Sequence, residues 1–163
     1  MVDLSACPLD TLTADEHVAF FAWIEGMTVD GDREDGPAFA GWLREHAAIP
    51  GDVTWVFYSQ GSGALAGTAS LIRRDRSLLA PADGWVLGGV NVVAAVRGQG
   101  VGAAIMRWID SELRQRARKQ GRPVRVLLQA DNPVAVRLYE RLGYHSVDGI
   151  PGVYTAVYAL DAK

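Results

Sequence analysis

The sequence has a single cysteine, Cys7, so no internal disulfide can form. That excludes a small disulfide-stapled secreted scaffold and fits a reducing compartment, so a cytoplasmic location is expected. No motif surrounds Cys7, which reads as a small half-buried residue rather than a nucleophile. No apolar run reaches the roughly 18 residues that a membrane span needs. The opening Met1-Val2-Asp3-Leu4-Ser5 lacks a basic region followed by an apolar one, so neither a signal peptide nor a membrane partner is expected. Basic charge is not in excess either. The 16 Lys and Arg stand against 19 Asp and Glu for a net charge of −3, which lacks the footprint that duplex nucleic acid demands. There is no internal repeat, low-complexity tract or Pro/Ser-rich linker. What remains is 163 residues, 49% hydrophobic and 21% charged, which suits one domain, residues 1–163, with a full core.

Periodicity divides this chain into alternating segments. Residues 14–26 read as a helix that opens on a capping box, Thr13 with Glu16, and carries Phe20, Phe21 and Ile24. A second helix is expected at about residues 37–48, with Phe39, Trp42 and Leu43. Strands follow at 54–58 and 65–72 around the turn Gly61-Ser62-Gly63, and a third, Val-rich one at 85–93. Residues 73–83 are polar and broken by Pro81. From Val101 to about Gln120, the spacing of Val101, Ile105, Ile109 and Leu113 predicts a long amphipathic helix closed by Gly121. Residues 124–129 form another strand. Asn132 caps a short helix with Pro133 at its first position, Gly143 ends it, and a last strand covers 154–160. The order is two helices, three strands, a helix, a strand, a helix and a final strand or two. That is a mixed sheet with helices packed on it, α/β or α+β by class.

The chemistry concentrates in the turn Arg97-Gly98-Gln99-Gly100-Val101-Gly102, between a strand and a helix. The first N–H groups of a helix have no intrahelical acceptor, and its dipole favours an anion there. Glycines let the backbone approach a phosphate closely, and Arg97 can add a charge-assisted contact. Three readings compete. Gly98, Gly100 and Ala103 satisfy a permissive dinucleotide fingerprint, but it begins at residue 98 of 163, too late for a doubly wound sheet. A P-loop needs a lysine after its last glycine, and here Ala103 follows Gly102. The third reading is a plain Gly-rich connection.

The full string Val92-Val93-Ala94-Ala95-Val96-Arg97-Gly98-Gln99-Gly100-Val101-Gly102 resembles the acetyl-CoA motif of the GNAT acetyltransferases, whose core is Arg/Gln-x-x-Gly-x-Gly/Ala. The segment Asn132-Pro133-Val134-Ala135-Val136-Arg137-Leu138-Tyr139-Glu140-Arg141-Leu142-Gly143-Tyr144 is similar to that family's Asn-x-x-Ala-x-x-Leu-Tyr-Glu-x-Leu-Gly-Phe, with Tyr144 in place of the common Phe. Both, in this order and spacing, make a specific signal. The likeness runs from about residue 54 to 160 and is sharpest over 90–144.

The resemblance implies a mixed, mostly antiparallel central sheet in which the family's fourth and fifth strands splay apart, with about four flanking helices. It implies an N-acetyltransferase with acetyl-CoA as co-substrate, a small-molecule or peptide amine as acceptor, and no metal. The strand 85–93 would carry a bulge and lie along the pantetheine arm, with the backbone of Val92 and Val93 near the thioester. Arg97, Gly98, Gln99, Gly100, Val101, Gly102 and Ala103 would hold the pyrophosphate. Asn132 would contact the arm or its strand neighbours, and Tyr139 would bind beside the thioester and donate a proton to the departing thiolate. The family's Pro three residues before the Arg is Ala94 here, which loosens the bulge argument and leaves the phosphate turn intact. Many relatives pair as homodimers.

The acceptor side is thinner. Strand 85–93 has no acid where relatives often place one, and Asn91 is its one polar side chain. Asp83 and Glu25 are candidate bases, and His145 is as well read as a surface residue. Asp30, Asp32, Glu34 and Asp35 cluster in a loop that departs from a calcium motif, with Asp35 at the glycine position and Gly41 at the last ligand position. The loop reads as solvated surface or, with Asp30 and Asp32 foremost, as a lure for a cationic substrate, with Trp23 and Met27 as apolar neighbours. A non-catalytic acyl-CoA sensor and a small dinucleotide-binding oxidoreductase are the alternative functions.

Overall fold

The computed structural model describes residues 2–27, 35–76 and 78–160. Along them run β1 (Leu4–Pro8), α1 (Ala14–Glu25), α2 (Gly36–Ala47), β2 (Val53–Ser59), β3 (Leu65–Ile72), β4 (Arg74–Asp75) and β5 (Leu78–Leu79). There follow β6 (Gly84–Val92), α3 (Val101–Gln120), β7 (Val124–Gln129), α4 (Pro133–Arg141), β8 (His145–Ser146) and β9 (Val153–Tyr158). Seven strands hydrogen-bond in the order β1-β2-β3-β6-β7-β9-β8, and β4 pairs with β5 apart from them. The sheet is mostly antiparallel. β6 and β7 run parallel, and their ladder takes in Gly84–Leu87 of β6 against Arg125–Leu128 of β7. Four helices and this mixed sheet are the architecture that the resemblance implied.

The chain forms two compact units. The first comprises Met1–Ser70 and Gly89–Gly102, the second Leu71–Gly88 and Ala103–Lys163. In the first, α1 starts on a complete capping box: Glu16 N–H donates to Thr13 Oγ1 at 3.3 Å and Thr13 N–H to Glu16 Oε2 at 2.8 Å. Leu9, Phe20, Phe21, Ile24, Phe39, Ala40, Leu43 and Val56 form its core. In the second, the four-residue spacing of α3 buries Ile105, Ile109, Leu113 and Ala117 completely. β7 alternates as a half-buried strand should, with Val124, Val126 and Leu128 inside.

Two expectations on chain order need correction. A strand, not a helix, comes first: β1 pairs antiparallel with β2, Leu4 opposite Ser59 through Pro8 opposite Trp55. It is short, shows no clean alternation and ends in Pro8, a residue tolerated at a sheet edge because no ladder donor is needed there. Residues 73–83, read as a polar break, contain the β4–β5 pair, with Arg74 opposite Leu79. Among the described residues no helix is long and apolar enough to cross a membrane.

Candidate active site

In the first unit, the end of β6 passes through Gly89, whose φ of +60 is a left-handed conformation. Asn91, Val92 and Val93 follow, all half-buried. Val93 N–H donates to Ala66 O at 2.9 Å, and a 3-10 turn, Ala94–Val96, then redirects the chain. Ala94 therefore sits in the redirecting turn at the position where relatives carry proline. Arg97 Nε–H donates back to Val92 O at 3.1 Å, and Gln99 Nε2–H to Ala95 O at 3.2 Å. These bonds tie the end of the strand to the turn.

Gly98 and Gly100 have φ of +76 and +84, and a Cβ added at either meets nothing within 4 Å. The left-handed backbone demands glycine there, while no protein atom fills the space beside it. Val101, nearly buried, starts α3, and Gly102 follows it. Arg97, Gly98, Gln99 and Gly100 are exposed. An open, glycine-lined turn ahead of a 20-residue helix is a cradle suited to a phosphate group.

The acceptor-side candidates of this unit fare unequally. Glu25 Oε1 accepts from Arg44 Nη2 at 2.6 Å, and the Arg44 guanidinium sits 4.3 Å from the centre of the Phe21 ring. The carboxylate of Glu25 is thus already matched by a cation. Asp35 serves as N-cap of α2, accepting from Ala38 N–H at 2.8 Å, so one member of the acidic cluster has a structural task. Asp30, Asp32 and Glu34 lie outside the described residues. Trp23 and Met27 are half-buried against the core.

In the second unit, Ala103 continues α3, and Asp83 is half-buried in the turn closed by Gly84 N–H to Pro81 O at 3.0 Å. Asn132 is the N-cap of α4: its Oδ1 accepts from Val134 N–H at 2.9 Å and Ala135 N–H at 3.5 Å. Tyr139 is 8% exposed, and its ring centre lies 5.9 Å from that of Tyr144. The carbonyl of Tyr139 accepts from Leu142 N–H and Tyr144 N–H, which stops the helix. The Tyr144 hydroxyl lies 3.2 Å from that of Tyr158, both buried. Burial pushes both phenols above their ordinary value, and Asp110 facing Tyr158 adds to the rise. His145 is exposed on β8.

Sequence reasoning named Phe39 and Trp42 only as apolar positions of the second helix, and joined neither to Gly89, nor His46 to Asp52. A Cβ on Gly89 would lie 3.0 Å from Trp42 Cζ3 and 3.4 Å from the Phe39 ring. The legible signal was a Gly-Gly step, Gly88-Gly89, inside an otherwise Val-rich strand, which marks a bulge or a close backbone approach. Among the described residues no cluster of three or more His, Cys, Asp or Glu is placed to hold a metal ion.

The sequence profile of the Acetyltransferase (GNAT) family matches residues 13–144, a span with residues in both units. The chain therefore belongs to the GNAT acetyltransferases, and it is an acyltransferase. Its fold is similar to that of the ribosomal-protein-S18-alanine N-acetyltransferase from Escherichia coli, with TM-score 0.63 and 15% identity, over 99% of this chain and 97% of that one. It is also similar to the spermidine N-acetyltransferase from Vibrio cholerae solved with CoA and spermine, with TM-score 0.61, 13% identity and 95% of each chain covered. A third neighbour is the N-acetyltransferase PseH from Campylobacter jejuni, at TM-score 0.54, 13% identity, 98% of this chain and 99% of that one. No curated protein matches the chain in sequence.

Proposed function

We propose that this protein transfers the acetyl group of acetyl-CoA to a primary amine by direct attack in a ternary complex, without an acyl-enzyme. The observation that carries the reading is the pair of left-handed glycines, Gly98 and Gly100, with open space where their side chains would be. Acetyl-CoA is the donor that the family uses. The backbone of residues 98–103 would hold its pyrophosphate, and Arg97, with Nε spent on Val92 O, keeps its terminal nitrogens for the same anion.

The remaining roles follow from chemistry. β6 beyond Gly89 offers amide groups to the amide-rich pantetheine arm, and the N–H groups near Val92 and Val93 would polarise the thioester carbonyl. Tyr139 would protonate the departing thiolate, since a phenol with an ordinary pKa near 10 holds its proton at neutral pH. Asn132 caps α4 through Oδ1, and its side-chain amide nitrogen is the atom left to meet the pantetheine arm.

The attacking amine must lose a proton to a base or a chain of waters, and Asp83 is the candidate base to substitute first. Asp30 and Asp32 would draw a cationic acceptor, and Glu25, paired with Arg44, is the weaker candidate. Neighbours of this fold are named as acetylating spermidine and a ribosomal-protein alanine, so polyamines and N-terminal amines head the panel of acceptors. We read the enzyme as one cytoplasmic domain, paired as a homodimer as many relatives are.

The test combines calorimetry with an amine panel. Acetyl-CoA and CoA should bind and NAD should not, and at least one amine among spermidine, an aminoglycoside, free amino acids and short peptides should release CoA thiol. Binding without release from any amine would favour an acyl-CoA sensor. Preference for NAD would reinstate the oxidoreductase.

A further inference from the structure

At Gly89, β6 is not held by its strand neighbours alone. At Gly89 the strand takes a left-handed residue with φ +60, and the position where a Cβ would sit is 3.0 Å from Trp42 Cζ3 and 3.4 Å from Cε2 and Cζ of Phe39. Two rings of α2 thus abut bare backbone. Phe39 and Trp42 stack on each other, with centroids 5.8 Å apart and planes at 28°. Trp42 also packs on the His46 ring at 4.5 Å. His46 Nδ1 lies 2.7 Å from Asp52 Oδ2, with the two side chains only 6% and 1% exposed. Asp52 is the residue immediately before β2. A continuous chain of contacts therefore runs Asp52–His46–Trp42–Gly89, from a buried polar pair to the left-handed residue of β6, wholly within the first compact unit.

Each link limits the next. A buried His–Asp contact fixes the imidazole's orientation, because breaking it strands a polar group away from water. A fixed imidazole limits the tilt of the indole on it. The indole touches backbone rather than a side chain at Gly89, so no rotamer change can absorb a shift of the ring. The strand's path must follow it.

We propose that Trp42 is a positioning residue for acetyl transfer, set by His46–Asp52, which holds β6 at its left-handed Gly89 so that the N–H groups beyond it stay aimed at the thioester. This rests on the reading that β6 carries the thioester. Trp42 touches neither donor nor acceptor in this account. Its effect is on the rate, because a misplacement of about 1 Å remote from the chemistry costs up to about a hundredfold.

The experiment is a set of variants assayed with acetyl-CoA and the best amine from the panel. Trp42→Leu should lower kcat by about ten- to a hundredfold, while acetyl-CoA Kd and amine KM move less than about threefold. Hydrogen exchange at residues 89–93 should quicken in the same variant. Gly89→Ala places a methyl group against Trp42 Cζ3, and Trp42→Phe removes that atom. The kcat loss from Gly89→Ala should therefore be smaller in the Trp42→Phe background than in the parent. This pair also decides the matter if Trp42→Leu does not fold.

Full kcat in folded Trp42→Leu, a raised amine KM at unchanged kcat, or an equal Gly89→Ala loss in both backgrounds would overturn the proposal. A parent enzyme that neither binds acetyl-CoA nor releases thiol would instead bring down the functional reading, and the positioning role with it.

Discussion

The two motifs that place this chain among the acetyltransferases are built on opposite terms. The residues of the second, 132–144, are largely absorbed by the fold. Asn132 caps α4, the carbonyl of Tyr139 closes the helix, and the Tyr144 hydroxyl meets Tyr158. The glycines of the first, at 98 and 100, adopt left-handed backbone beside empty space, as does Gly143 alone in the second. Packing fixes the side chains of the one set, whereas backbone conformation requires the glycines of the other and leaves open space beside them. A motif position that leaves open space is the better pointer to a ligand, and one whose side chain the fold packs must be tested for a second role.

Tyr139 is the sharpest such test and carries the largest expected effect. Tyr139→Phe keeps the ring, its contact with Tyr144 and the helix end, and removes only the hydroxyl. General-acid catalysis is typically worth about 10²–10⁴-fold, so steady-state kcat should fall within or near that range with acetyl-CoA affinity kept. Undiminished kcat would leave Tyr139 as a packing residue, like its motif neighbours.

The glycines come next. Gly100→Ala and Gly121→Ala both force an alanine into positive φ, at +84 and +65, with nothing within 4 Å of the new Cβ. Each should cost about 1–2 kcal/mol of stability by denaturant unfolding. Only Gly100→Ala should also weaken acetyl-CoA binding, by about tenfold in calorimetry, the loss of roughly one good contact. Equal affinities in the two variants would mean that the turn is only a turn.

Most of the architecture was legible because the periods are strong. The i, i+4 spacing of α3, the alternation of β7 and the Thr13–Glu16 box translate directly into burial and hydrogen bonds. β1 was not legible, because five residues ending in proline carry no period and owe their shape to β2. The β4–β5 pair, two residues a side, was likewise too short to leave a pattern. The glycine turn was readable as a turn, since its residue type calls for the left-handed backbone that Gly98 and Gly100 adopt. The ring contact on Gly89 was not, since α2 and β6 are far apart in the chain and only packing joins them. Glu25, named as a candidate base, pairs with Arg44, a partnership across 19 residues that no local pattern signals.

Smaller effects refine the contrast. Asn132→Ala should cost about 1 kcal/mol as a lost helix cap. Unchanged acetyl-CoA affinity in that variant would confine Asn132 to the fold, whereas a drop beyond the stability effect would give it both roles.

The smallest effect concerns Tyr144 and Tyr158. Their phenols are held above the ordinary value of about 10 by burial. The stabilisation from keeping them neutral is complete below pH of about 10 and is lost as pH rises towards the folded values, because the unfolded phenols ionise first. Denaturation midpoints should therefore decline above about pH 10, and Tyr144→Phe should make that decline shallower. An identical alkaline slope in parent and variant would remove Tyr144 from the account.

The central claim, that the turn at 98–103 holds a pyrophosphate, is tested most directly by comparing acetyl-CoA with acetyl-pantetheine, which has the same thioester and arm but no nucleotide. The parent protein should bind acetyl-CoA far more tightly in calorimetry, and Gly100→Ala should shrink that preference by weakening acetyl-CoA alone. Equal affinity of the parent for both compounds, or a preference untouched by Gly100→Ala, would contradict it.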